Sequence, residues 1–224
     1  MLASTIRRLS YVLATAFLLA AVTALPVKAD TIFSNFGPGM TFDTTTGYAV
    51  GPAPGQVVAV GFTPKAEFKF TDARIAVGFV FGSAPFEAFL ETDSGGMPGS
   101  IIDTLNLAGV IGNFPPGSVV TYDSSSSPLL ALGASYWLVL VETDPSTQVE
   151  WNLNSIGDLS AGANFAFNES GNPAGPWSVA PPGFPRTAFQ IDGAPIGAPE
   201  PATLFLLGSA MAGIVFVRRR SVAN

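Results

Sequence analysis

The chain has 224 residues, a formal net charge of −6, and neither cysteine nor histidine. The missing cysteines exclude disulfides, thiolate metal sites and cysteine nucleophiles. The missing histidines exclude the Ser-His-Asp arrangement, histidine acid–base catalysis and the commonest zinc sites.

Met1–Ser10 carries Arg7 and Arg8, Tyr11–Leu25 is apolar, and Pro26-Val27-Lys28-Ala29 leads to Asp30. A charged segment, an apolar segment and a small-residue site in that order form a secretory signal, with cleavage expected between Ala29 and Asp30. Residues 30–198 then form one exported domain, long enough for a sizeable core. Its basic residues are Lys65, Lys69, Arg74 and Arg186 against fifteen acidic ones, a balance of −11. Such acidity keeps a surface protein soluble and leaves no basic stripe for nucleic acid.

Along this domain helical periodicity is nearly absent and turn residues are dense, so the elements read as strands. Thr31–Phe36 opens the series, and Gly37-Pro38-Gly39 stops it. Thr41–Gly47 is polar and reads as loop, and Gly51-Pro52-Ala53-Pro54-Gly55 as a turn. Gln56–Phe62 is an apolar strand. Glu67–Phe81 is one long extended segment whose apolar residues switch parity, from Phe68 and Phe70 to Ile75, Val77 and Phe79. That switch requires a bulge or break near Asp72-Ala73-Arg74. Phe86–Glu91 alternates with one face inside. Asp93-Ser94-Gly95-Gly96-Met97-Pro98-Gly99 then turns the chain toward Ser100-Ile101-Ile102, with glycines that permit positive φ and a proline that interrupts pairing.

Pro115-Pro116-Gly117 precedes a strand at Ser118–Tyr122, and Asp123–Ser127 reads as polar and exposed. Tyr136–Val141 is apolar at both parities, as in a strand covered on both faces, so Trp137 is read as core. Gln148–Leu153, Ala163–Phe167 and Thr187–Asp192 complete about ten strands. The fold class expected is all-β, an antiparallel β-sandwich with jelly-roll-like character, with a signal peptide before it and one transmembrane helix after it.

The tail is organised differently. Pro199-Glu200-Pro201 precedes the uncharged run Ala202–Val217, and Arg218, Arg219 and Arg220 close it. The run reaches only about 24 Å at ~1.5 Å per residue, against a hydrocarbon core roughly 30 Å thick. Long arginine stems cover part of the mismatch and bias their end to the cytoplasmic side. Membrane lipid is therefore an expected partner.

Tripeptide, apolar run and arginine cluster together resemble the PEP-CTERM protein-sorting tail, also labelled the ice-binding protein C-terminal domain. The resemblance implies recognition by an exosortase-like membrane protease or transpeptidase and delivery to the cell surface. The middle is similar to choice-of-anchor domains, nearest the R-type. The residues that carry this likeness are Ser34-Asn35-Phe36, Asp93–Gly99, Tyr136-Trp137-Leu138-Val139, Trp151-Asn152 and Ala188-Phe189-Gln190-Ile191. These are exported β-rich modules joined to alternative surface anchors, and the likeness transfers no site residues.

Three function classes follow. The first is a non-enzymatic surface protein displayed in the envelope or extracellular matrix, without cofactor or metal. The second is a carbohydrate-binding module that recognises exopolysaccharide, with Trp151, Trp177, Tyr122 and Tyr136 as candidate stacking rings. Large aromatics also serve as core between sheets, and Trp177, among Gly175, Pro176 and Ser178, is the better surface candidate. The third is an enzyme built on paired carboxylates. Glu91 and Asp93 beside a glycine turn are candidate calcium ligands, although the full D-x-D-x-D-G pattern is absent. Asn168-Glu169-Ser170 fits a glycosylation sequon and is read as chance.

Overall fold

Two strands with apolar residues at every position form the spine of the structure. They are Val57–Phe62 (β3) and Tyr136–Val141 (β10), paired antiparallel and buried along their whole lengths. The structure is a computed structural model that describes residues 29–51, 56–84, 86–142 and 144–196. Ala29–Ile196 forms one compact unit. The other strands are β1 (Asp30–Ser34), β2 (Phe42–Val50), β4 (Phe68–Phe81), β5 (Glu87–Asp93), β6 (Pro98–Ala108) and β7 (Gly112–Asn113). They continue with β8 (Ser118–Ser124), β9 (Leu129–Leu130), β11 (Gln148–Asn154), β12 (Phe165–Asn168), β13 (Ser178–Val179) and β14 (Phe189–Pro195). The described residues contain no helix.

All fourteen strands join one hydrogen-bonded sheet in the order β1-β14-β4-β8-β6-β5-β10-β3-β12-β13, with β11 linking β4 to β2. Pairing is antiparallel except between β4 and β7. The fourteen residues of β4 hold β14 along the first part of one edge and β11 along the rest. Distant strands nevertheless meet face to face. Phe62 of β3 lies 6.5 Å from Phe189 of β14, and Tyr48 of β2 lies 4.8 Å from Phe165 of β12. The sheet therefore curls over itself, and the layers expected of a sandwich are two parts of one continuous sheet around a common core.

The both-parity pattern of β3 and β10 has a direct cause. Val58, Val60, Phe62, Tyr136, Leu138 and Leu140 enter the main core. Their alternates Val57, Ala59, Trp137, Val139 and Val141 join Phe89 and Ala166 in a second cluster on the opposite face. Trp177 packs against that second cluster from outside.

The parity switch in β4 is real and sits one residue earlier than expected. Asp192 pairs with Asp72 and Gly193 with Phe70, which leaves Thr71 as the extra residue. Phe70 and Ala73 consequently both reach the core. Farther along β4, Gly78 admits close neighbours. A Cβ there would lie 2.8 Å from both Gly117 Cα and Phe114 N, so any side chain would push the Phe114–Gly117 turn off the strand.

The loop expected at Thr41–Gly47 is instead most of β2. Its threonines are exposed, but its backbone pairs with β11, and β-branched residues suit a half-exposed edge. The Asp93–Gly99 segment is the tight turn its glycines require, with Gly95 at φ 67° and Gly96 at φ 84°. Ser94 N donates to Met97 O at 2.8 Å, and Pro98 is already the first residue of β6 rather than a break before it.

Asp30 is register-paired with Gly193, so the first residue after the expected cleavage lies beside the end of the last strand. Among the described strands β1 pairs with β14 alone, which leaves its outer edge open.

Candidate functional site

Pro199, Glu200, Pro201, Arg218, Arg219 and Arg220 lie outside the described residues, as does the apolar run between them. Ala29 is the first described residue, and strand pairing starts at Asp30.

Three of the proposed stacking rings are core. Trp151 is fully buried, and its indole Nε1 donates to Ala188 O at 3.0 Å. Tyr122 is buried, donates its hydroxyl to Phe86 O at 3.2 Å, and has its pKa raised by that burial. Tyr136 is also buried, its oxygen accepting from Ala131 N at 2.9 Å. None of the three offers a free face to a sugar. Trp177 is half-buried, one side against the outer cluster. The sequon residue Asn168 is buried and uses its side chain on Ser170 and Asn172.

The proposed calcium pair separates. Asp93 accepts from Trp137 Nε1 at 2.8 Å and from Gly96 N at 3.0 Å, so both of its oxygens serve the turn and the strand beside it. Glu91 is 1% exposed, and neither of its oxygens has a hydrogen-bond partner among the described residues. Burial alone pushes its pKa up to about 7. Among the described residues no three acidic side chains gather as a metal site. Asp103 shows the opposite solution. Burial works to raise its pKa, but the hydroxyls of Ser124, Ser125 and Ser126 and the Ser126 amide outweigh it and hold the pKa low. The serine run therefore has a structural task, binding its loop to a buried carboxylate.

A cleft of about 720 Å³ opens where β1 faces the end of β3 without pairing to it. Thr31–Ser34 forms one wall; Gly61–Thr63, Lys65 and Ser135 form another; Asn164 and Arg186 close it. Arg186 is 3% exposed and closely held. Its Nη1 binds Asp158 Oδ2 at 2.9 Å, its Nη2 donates to Gly61 O, and its guanidinium lies 5.4 Å from the Phe33 and Phe189 ring centroids. Desolvation lowers its pKa, with Asp158 opposing. Asn35 Nδ2 donates to the same Asp158 oxygen at 2.8 Å, fixing the anion that fixes the cation. The buried Arg186 Nε has no acceptor among the described residues. Sequence reasoning missed this site because its lining comes from five segments scattered between Thr31 and Arg186, with no local motif in any of them.

The described part is thus an all-β domain, and its last strand ends three residues before a chemically distinct tail. Residues 198–220 match the PEP-CTERM protein-sorting motif, which marks a protein exported and sorted at the cell envelope by exosortase-type machinery. No curated protein and no solved structure matches the chain.

Proposed function

We propose that this chain is a non-enzymatic surface protein, displayed in the envelope or extracellular matrix after exosortase-type processing of its tail. The observation that carries this reading is the sorting-motif match over residues 198–220. Its parts divide the work physically. Ala202–Val217 partitions into lipid, the arginines hold the cytoplasmic side, and the Pro199-Glu200-Pro201 tripeptide is what the processing enzyme reads. At the other end, cleavage after Ala29 would remove no residue of the sheet, because β1 begins at Asp30. The lack of histidine and cysteine supports a non-enzymatic role. N-terminal sequencing of envelope material is expected to return Asp30-Thr31-Ile32-Phe33. Recovery of residues from Tyr11–Leu25 would contradict export by this route.

A second reading, carbohydrate binding, has one specific observation in its favour. The polar cleft beside β1 is an open, preformed recess of the size that small ligands occupy, typically about 300–1,000 Å³. This moves the binding surface away from Trp151 and Tyr122.

A further inference from the structure

We propose that the cleft between β1 and the end of β3 binds a saccharide bearing a carboxylate, as in a uronic-acid-containing polysaccharide. The proposal rests on the carbohydrate-binding reading and names both its site and the chemistry of its ligand. Charge distribution is the first argument. Residues 30–198 carry fifteen acidic and four basic side chains, yet the cleft lining includes two of the basic ones, Lys65 and Arg186, and no carboxylate. In so acidic a domain a recess without acids is a place where an anionic ligand meets no like charge at its contact surface.

The second argument is the state of Arg186. Its guanidinium is immobilised by Asp158, by Gly61 O and against the stacked pair of Phe33 and Phe189 rings, so it is already ordered before any ligand arrives. Two of its nitrogens have partners, while the buried Nε has none among the described residues. The Nε itself is closed off from solvent, so what the guanidinium offers a carboxylate is a fixed positive charge behind the cleft wall, at little cost in side-chain entropy. Lys65 is exposed at the rim and supplies a second, mobile cation.

The third argument is the rest of the lining. Thr31, Ser34, Thr63, Ser135 and Asn164 bring hydroxyl and amide groups from four separate segments, which suits a ligand with hydroxyls on several sides. An extended peptide would instead need a regular unpaired edge. β1 is open on that side, but its register shifts between Thr31 and Phe33, and such a bulge interrupts the ladder a new strand would extend.

The test uses the full-length chain in detergent micelles, titrated calorimetrically with trigalacturonate and with maltotriose. Trigalacturonate is expected to bind at least tenfold more tightly, with affinity falling as salt is raised. Lys65→Glu should weaken trigalacturonate at least tenfold and leave maltotriose unchanged, and Lys65→Arg should retain binding. Ser135→Trp, at an exposed position, should fill the cleft and abolish binding of either sugar without altering the circular dichroism spectrum. Equal affinity for the two sugars, no binding of either, indifference to Lys65→Glu, or full binding by Ser135→Trp would each overturn the proposal. Capture of an extended peptide by the same cleft in place of the sugars would overturn it too. None of these outcomes touches tail processing, which is read on Glu200 variants in cells.

Discussion

A Trp151→Ala chain is expected to lose about 3–5 kcal/mol of folding stability, the usual cost of emptying a large buried site. Trp151 is fully enclosed in the main core between β4 and β2, and its indole nitrogen satisfies the carbonyl of Ala188. Truncation would remove the transfer energy, leave a cavity and take from that carbonyl one of its two donors, the other being Ala76 N at 3.3 Å. A domain of this size has roughly 5–15 kcal/mol in total, so the variant should sit near the edge of folding. Trp177→Ala, at a half-buried ring, should cost less than about 2 kcal/mol. Urea unfolding of the 29–196 unit measures both. A Trp151→Ala variant as stable as the parent would show that this ring is not part of the core.

The second large effect concerns pH. Glu91 is buried with both carboxylate oxygens unpartnered among the described residues, and its pKa rises from 4.5 to about 7 on folding. In the unfolded chain the group loses its proton near 4.5, and in the folded chain only near 7. Its contribution to stability is therefore fully present below pH 4.5, falls as pH rises from 4.5 to 7, and is flat above that. The rise from 4.5 to about 7 corresponds to ~3 kcal/mol. Glu91→Gln should remove this dependence, so the difference between parent and variant should grow by about that amount from pH 4.5 to pH 8. A constant difference across that range would mean that Glu91 is solvated or paired. Asp103 runs the other way. Its lowered pKa contributes stability above the ordinary carboxylate range and loses it as pH falls through the depressed value; burial also raises the Glu150 pKa, in the same sense as Glu91, but Glu150 is common to parent and variant and drops out of their difference.

How much of this was legible in the residues varied with how local the cause was. The both-parity apolar run at Tyr136–Val141 announced a strand covered on two faces, and two clusters cover it. The parity switch between Phe70 and Ile75 required a bulge, and Thr71 supplies it. The tail was legible because its message is linear: tripeptide, apolar run, arginines.

Other features depended on partners far along the chain. Thr41–Gly47 looked like loop because its side chains are polar, but β11 supplies the pairing that makes it a strand. Trp151 sits between Glu150 and Asn152, a context that suggests an exposed ring. Asn152 is buried as well, its amide donating to Asp43 O at 2.8 Å and Pro116 O at 3.2 Å. No periodicity reveals such a rescue of a polar residue. The cleft beside β1 was invisible for the same reason, since Ser34, Lys65, Ser135 and Arg186 meet only after the sheet has curled.

In the proposed function the tail is read as an address and not merely held as an anchor. Glu200→Ala separates the two, because it leaves Ala202–Val217 and the arginines unchanged while altering the tripeptide between the prolines. The measurement is a blot of membrane and extracellular fractions from cells producing the parent, Glu200→Ala, and a chain truncated before Pro199. The account predicts that the parent is processed, that Glu200→Ala accumulates at full length in the membrane, and that the truncated chain is released. Processing of Glu200→Ala at the parental rate would contradict it.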